Sequence, residues 1–257
     1  MSTLLVCSES TKNLLSGFKR KRIVTSAPDK SILDEVSTEK NVVAIGGGAV
    51  IDTAKIISKN PISCYPTTAA GSTETSWSVY WDGVKKCSIK RHKPKEVTIN
   101  SDFLKLPYNV MAETTFDVVS HCLDSLNSKK ATKKSIKHCT KALNILRNSG
   151  RDNVNLIIAG CQAGKAIEIT GTNLLHSLSY PLTGHYGISH GLALGYFLPK
   201  ISKLMNNNVD DIIDRYSTMT FDLSIDIDMV IDEALKYDKI YESNIFIDRK
   251  TLQEVLK

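Results

Sequence analysis

The feature that most constrains the fold is a run of three glycines between a short apolar segment and a helical one. Residues 41–45 (NVVAI) predict a buried strand, and Gly46, Gly47 and Gly48 follow at once. From Ala49 onward the apolar residues recur at helical spacing. Backbone without side chains can approach a pyrophosphate closely, and a helix N-terminus offers oriented N–H donors. The pattern favours a nucleotide-binding loop, although a tight turn alone would also require glycine.

The elements around this loop predict an α/β part followed by an all-α part. Residues 22–26 predict another strand and residues 31–40 a short helix, so strands and helices alternate as in a right-handed βαβ unit. After about residue 102 almost every segment has helical periodicity. We therefore predict a nucleotide-binding domain over residues 1–104 and a helical domain over residues 105–257. Further strands are expected at 64–65 and 97–99, and helices at 113–128, 133–148, 153–170 and 210–216.

Composition excludes several classes of protein. The 257 residues are 42% hydrophobic and 23% charged, which is typical of a globular protein. We find no secretory signal and no long apolar run, and we expect a cytoplasmic protein with no membrane partner. Six scattered cysteines without a C-x-x-C pair predict free thiols. The net charge is +6, but the lysines of residues 129–137 recur at helical spacing without aromatic neighbours, so we expect a solvated helix face and no nucleic acid partner.

Two pairs of side chains suggest a metal site. Asp117 and His121 are four residues apart in a predicted helix and so project from one face, although such a pair alone is more often a surface hydrogen bond. His176 ends a predicted helical run over 164–175, and His190 begins another helix after a predicted turn over 181–189. That turn could direct both imidazoles to one centre. His185 lies between them and could face a substrate or cap the turn.

With these motifs in hand, the chain resembles the iron-containing (group III) alcohol dehydrogenases of the dehydroquinate-synthase-like superfamily. Five blocks, in order, resemble that family's motifs: residues 46–55, 66–74, 117–121, 176–182 and 189–193. The resemblance implies a Rossmann-like N-terminal domain, a helical C-terminal domain and an active site between them. It also implies Fe(II), or alternatively Zn(II), bound by Asp117, His121, His176 and His190. The cofactor contacts that it implies are Gly46, Gly47, Gly48, Asp52, Thr67 and Thr68.

Departures from the family pattern give further expectations. The chain is a shortened member, and one strand–helix unit is expected to be absent. The family strand usually ends in V-T-D, whose Asp holds the adenosine ribose, but here Ser26 takes that place. Without that carboxylate, and with Lys30 nearby, we predict NADPH rather than NADH. Tyr180 stands where the family often has a histidine, and it could donate a proton or serve in packing. Lys86 matches a cofactor-contacting lysine, with Lys85 as the alternative.

The resemblance implies a metal-dependent oxidoreductase that reduces a small aldehyde to an alcohol with NAD(P)H. We predict Tyr180 and His185 as catalytic residues and a homodimer as the assembly. A carboxylated semialdehyde is a candidate substrate because of the lysines and arginine over residues 85–91, which could also be solubilising surface residues. The alternatives are a polyol or polyol-phosphate dehydrogenase, a dehydroquinate-synthase-like enzyme on the same scaffold, and a non-catalytic shortened relative.

Overall fold

The N-terminal part of the molecule is built on a parallel sheet. The computed structural model describes residues 2–216 and 224–257. The strands are β1 (Thr3–Cys7), β2 (Arg20–Ile23), β3 (Asn41–Gly46), β4 (Ser63–Pro66), β5 (Trp77–Asp82), β6 (Lys85–Lys90) and β7 (Glu96–Val97). Five of them form one parallel sheet in the order β2-β1-β3-β4-β7. β5 and β6 pair as an antiparallel hairpin beside the sheet.

Helices make up most of the rest of the molecule. They are α1 (Gly48–Ile57), α2 (Tyr108–Leu126), α3 (Lys133–Asn148), α4 (Asn153–Thr170), α5 (Leu174–Tyr186), α6 (His190–Leu204), α7 (Asp210–Ile213), α8 (Ile227–Ala234) and α9 (Arg249–Leu256). The predicted class, a Rossmann-like α/β part followed by a helical part, is confirmed. No helix within the described ranges is long and apolar enough to cross a membrane.

The first sheet strand and the first helix differ from prediction. β1 was missed, although its Leu5, Val6 and Cys7 are buried in the sheet between β2 and β3. The expected absence of a strand–helix unit rested on a strand count that began at Arg22, and β1 adds a strand to that count. The helix predicted over residues 31–40 is wrong. Only a 3-10 turn forms there (Lys30–Asp34), and it buries a single apolar side chain.

The helical part is held together by one large apolar core. α2 packs against α3, α4, α5 and α6, and buried aliphatic side chains from all of these helices contribute to the core. Burial of this surface is the main force that holds the helices in place. Within residues 2–216 and 224–257, all strands end by Val97, and all helices of eight or more residues except α1 begin at Tyr108 or later. The domain boundary near residue 104 stays a prediction that is compatible with this distribution.

Two glycines of α4 allow the parts to approach closely. A Cβ atom at Gly160 would lie 2.6 Å from Cβ of Ala69, and one at Gly164 would lie 2.8 Å from the carbonyl oxygen of Gly71. Real Cβ atoms are almost never found so close to other heavy atoms. The loop that follows β4 therefore lies directly on α4. Gly71 in turn contacts the imidazole of His121, where an added Cβ would lie 2.7 Å from Cε1.

Candidate active site

A cavity of about 630 Å³ lies between the parallel sheet and the helical part. The start of α1, the loop after β4 and the hairpin contribute to one side of its wall. Helices α2, α4, α5 and α6 contribute to the other. Clefts where two layers meet are common sites for cofactors and small substrates, because they combine apolar walls with a few polar groups.

The four residues predicted as metal ligands come together in this cavity. Oδ1 of Asp117 lies 3.5 Å from Nε2 of His121, 3.4 Å from Nε2 of His176 and 3.8 Å from Nε2 of His190. The rings of His121 and His176 are stacked, with centroids 4.6 Å apart. Ligand atoms of Asp117, His176 and His190 all lie within 4.8 Å of one another. This convergence is the arrangement that a single divalent ion requires.

The local structure explains the convergence, with one correction. Asp117 and His121 lie one turn apart on α2, as predicted. His176, however, does not end a helix. α4 stops at Thr170, where Gly171 adopts a φ of 71°, and α5 begins at Leu174, capped by the side chain of Asn173. His176 therefore lies in the first turn of α5.

The turn predicted over residues 181–189 is also wrong in its first half. α5 continues through Pro181 to Tyr186 and ends at Gly187, whose φ is 67°. Proline disfavours a helix interior because it lacks an N–H donor, which is why the sequence suggested a break. Here the helix is kept because α5 is buried from Leu174 to Leu182 in the apolar core. His190 is the first residue of α6, as predicted.

The polar atoms of the cluster fit a cation. Oδ1 of Asp117 and Nε2 of His176 lie 3.4 Å apart, and both are buried without a hydrogen-bond partner among the described residues. Buried polar atoms without partners are costly and rare, so their convergence calls for a ligand. Burial lowers the pKa of His121 to about 4 and that of His190 well below its usual value. Both imidazoles are therefore neutral at pH 7, as metal ligands must be. A carboxylate with three imidazoles suits Fe(II) and Zn(II) equally.

Asp124 supports the cluster from behind, and sequence reasoning missed it. Its carboxylate accepts a hydrogen bond from Nδ1 of His176 at 2.9 Å and from the backbone N–H groups of Asn173 and Leu175 at 2.8 and 3.0 Å. Burial opposes ionisation of Asp124, but these donors lower its pKa below the usual value. The contact fixes the His176 tautomer with Nε2 directed at Asp117.

We expect Asp124→Asn to weaken metal binding by about 10- to 100-fold, because the amide cannot accept the three N–H groups as the carboxylate does. Competition with a chromophoric chelator measures the affinity for Zn(II). Asp102→Asn serves as the matched control, because Asp102 is exposed in a short 3-10 turn outside the cluster. Equal affinities in the two variants would show that Asp124 does not orient the ligand.

The glycine and threonine loops meet beside the cavity. α1 begins at Gly48, and Gly48 and Asp52 line the cavity. A Cβ atom at Gly47 would lie 2.9 Å from Oγ1 of Thr68, and the N–H of Thr67 donates to the carbonyl of Gly46 at 3.0 Å. These residues, all predicted to bind cofactor, form one corner next to a helix N-terminus.

Ser26 and His185, two other predicted site residues, do not line this cavity. Ser26 is exposed beyond the end of β2 and does not line the cavity. Lys30, expected to meet a cofactor phosphate, instead pairs with Asp82 of the hairpin at 2.8 Å. His185 is exposed in the last turn of α5 and lines a separate small pocket. The geometry gives no support to a catalytic role for His185.

Tyr180 lies beside the cluster between two lysines. Its ring is stacked near His190, with centroids 5.9 Å apart. Nζ of Lys86 lies 4.8 Å from the centroid of the Tyr180 ring, and Nζ of Lys239 lies 4.2 Å from it. Lys239 also donates to the hydroxyls of Tyr180 and Thr172. Lys86, and not Lys85, lines the cavity. Sequence reasoning missed Lys239, which lies in a short 3-10 turn and belongs to no motif.

Comparison with known proteins gives a family match over the metal-binding part. Residues 111–242 match the model of the Fe-containing alcohol dehydrogenase family, C-terminal. The chain is 25% identical over 205 residues to a 4-hydroxybutyrate dehydrogenase of Clostridium kluyveri. This alignment covers 63% of this chain and 54% of that protein. It is 25% identical over 231 residues to lactaldehyde reductase of Escherichia coli, covering 75% of this chain and 60% of that protein. The chain thus spans about half the length of the curated relatives it matches.

Solved structures share the whole fold. An iron-containing alcohol dehydrogenase from Thermotoga maritima superposes with a TM-score of 0.82 at 20% identity, covering 99% of this chain and 90% of that chain. A sulfoacetaldehyde reductase from Bifidobacterium kashiwanohense in complex with NAD+ gives a TM-score of 0.83 at 19% identity, with the same coverage.

Proposed function

The chain belongs to the Fe-containing alcohol dehydrogenase family, and on that premise we propose that it is a metal-dependent oxidoreductase. The reaction is hydride transfer between NAD(P)H and a small aldehyde, giving the alcohol. One observation carries the proposal: the unpartnered polar atoms of Asp117 and His176 face each other beside His121 and His190, in a cavity that Gly48 of the glycine loop also lines. The names of the relatives, which are dehydrogenases and reductases of small alcohols and aldehydes, support it.

The residues of the cavity have separate roles in the proposed reaction. When bound, a divalent ion supplies Lewis-acid polarisation of a carbonyl oxygen, and the nicotinamide supplies the hydride. Gly47 and Gly48 let the cofactor phosphates approach the α1 N-terminus. The Tyr180 hydroxyl holds a proton for the product alcohol, and a hydrogen bond with the side chain of Thr172 orients that hydroxyl. The buried helices around the cluster exclude water from the reacting carbonyl.

Oxidation of NADPH or NADH in the presence of a panel of small aldehydes, followed at the nicotinamide absorbance band, tests the proposal. The protein is loaded with Fe(II) under anaerobic conditions, or with Zn(II), and the metal content is measured on the same sample. We expect aldehyde-dependent oxidation with one metal or both. A fully loaded protein that oxidises neither cofactor with any aldehyde would favour the non-catalytic alternative.

We propose NADPH as the preferred cofactor because of Ser8 and not because of Ser26. β1 is the neighbour of β3 in the sheet, and Cys7 pairs with Ile45. Ser8 therefore follows its strand at the level of Gly46. In dinucleotide-binding folds an acidic residue of the neighbouring strand holds the ribose hydroxyls of NAD and repels a 2′-phosphate. Ser8 has no carboxylate there.

Ser8→Asp is expected to lower the ratio of kcat/KM for NADPH to that for NADH by at least about tenfold, because a carboxylate beside the 2′-phosphate adds like-charge repulsion. Ser26→Asp is the matched control and should leave the ratio unchanged, since Ser26 follows β2, which is not the neighbour of β3 in the sheet. A wild-type preference for NADH, or equal effects of the two substitutions, would contradict this assignment.

A further inference from the structure

Resting on the proposed function, we propose that Lys239, together with Lys86, binds a carboxylate of the substrate. The aldehydes that this site prefers then carry an acid group at the end away from the reacting carbonyl. The proposal rests on the position of the two ammonium groups beside Tyr180. It also rests on the absence of a paired carboxylate among the described residues.

Both lysines lie at the metal end of the cavity. Their Nζ atoms lie 4.8 and 4.2 Å from the centroid of the same ring, that of Tyr180. That ring neighbours His176 and His190, with centroid separations of 6.5 and 5.9 Å. The cofactor phosphates would lie beside Gly48, whereas Lys239 contacts the ring and hydroxyl of Tyr180. An anion held by Lys239 therefore belongs to the molecule that approaches the metal cluster.

Neither ammonium group is paired with a carboxylate among the residues that the structure describes. Lys239 donates only to neutral hydroxyl groups, those of Thr172 and Tyr180. Lys86 lies over the Tyr180 ring, and two carboxylates act on it electrostatically. Asp117 belongs to the metal cluster, and Asp52 lies 4.0 Å from Nζ of Lys55. Burial lowers the pKa of Lys86 to about 8 and that of Lys239 to about 7. A desolvated cation without a counter-ion is costly, and an anionic ligand removes that cost.

Two other lysines near the cavity, Lys55 and Lys130, have partners that explain their positions structurally. Lys55 is buried, but it donates to the carbonyl oxygens of Ser72 and Trp77 and lies 4.0 Å from a carboxylate oxygen of Asp52. Lys130 also lines the cavity, but it pairs with Glu242 at 3.1 Å. Lys239 and Lys86 lack such partners and face the cavity. The predicted preference for a carboxylated substrate thus depends on Lys86, which is one of the lysines of residues 85–91. It also depends on Lys239, which belongs to no sequence motif.

The kinetic test compares two aldehydes of equal chain length, 4-oxobutanoate and butanal, with wild type and Lys239→Met. We expect kcat/KM for 4-oxobutanoate to fall by roughly 10- to 100-fold, the loss expected for one hydrogen bond to a charged group. The value for butanal should stay within about threefold, and Lys239→Arg should restore most of the loss. Lys236→Met is the matched control, since Lys236 is exposed one turn away and pairs with Glu233. Equal losses with both aldehydes would overturn the proposal and assign Lys239 to the positioning of Tyr180.

A binding measurement separates this proposal from the proposed reaction. Isothermal titration of the Zn(II)-loaded protein with succinate should show binding that weakens at least about tenfold in Lys239→Met but not in Lys236→Met. That result supports the carboxylate site even if no aldehyde is reduced, in which case only the proposed reaction fails. Succinate binding that is absent or independent of Lys239 would overturn the proposal. So would a loss confined to NADPH affinity, because the anion would then be a cofactor phosphate.

Discussion

Replacement of His190 by alanine should lower Zn(II) affinity by about 100-fold or more and kcat by roughly 10²- to 10³-fold. His190 supplies one of four converging ligand atoms, and its Nε2 lies 3.8 Å from Oδ1 of Asp117. Its side chain is 27% exposed, whereas that of His176 is 3% exposed. Alanine also favours the helical conformation that His190 begins in α6. The fold should therefore persist while the metal site loses a ligand.

His92→Ala is the matched control, because His92 is exposed and lies outside the cluster. Metal content after dialysis, chelator competition and the rate of aldehyde reduction are measured on all three proteins. Circular dichroism checks that the helical content is unchanged. If His190→Ala kept both the metal affinity and the rate of the wild type, His190 would not be a ligand.

The second large effect is expected on stability, from Gly160→Val. The substitution should lower the free energy of unfolding by about 3 kcal/mol, near the upper end for overpacking, because an added Cβ already falls 2.6 Å from Ala69 and 2.8 Å from its backbone. For a chain of this size that loss corresponds to a fall in Tm of about 6–12 °C. The displaced loop carries Gly71, which contacts His121, so metal affinity should fall as well.

Lys137→Val is the control for a valine introduced at an exposed position of α3, and helix propensity cannot explain a loss at Gly160 because valine is a better helix former than glycine. Thermal unfolding followed by circular dichroism measures both variants in the metal-free state. A Tm for Gly160→Val that matches the control would show that the loop can move away from α4 without cost.

The metal cluster was predictable because its information is local. Asp117 and His121 share a helix face at a spacing of four residues. His190 begins a helix shortly after Gly187, which ends the preceding one. Asp124 follows the same face, but a carboxylate in a helix has no local mark that distinguishes a buried partner of a histidine from a solvated side chain. Its role becomes visible only when α5 is packed against α2.

Other features depend on tertiary context. β1 is too short and too close to the N-terminus for its apolar run to stand out, and its place in the sheet comes from pairing with β3, some forty residues away. Pro181 signals a break that the surrounding core overrides. Lys239 is brought to Tyr180 by the packing of a 3-10 turn against α5, over a separation of 59 residues. Ser26 was assigned by strand order along the sequence, whereas the sheet places β1 next to the glycine strand.

Metal dependence is tested most directly by a metal titration of the apoprotein in which NADPH oxidation with an aldehyde is recorded against bound metal. We expect a rate that rises in proportion to bound Fe(II) or Zn(II), saturates at a single equivalent per chain and disappears when a chelator is added. A rate that does not depend on metal would contradict this expectation, and so would a single bound equivalent with no oxidation of NADPH or NADH by any small aldehyde.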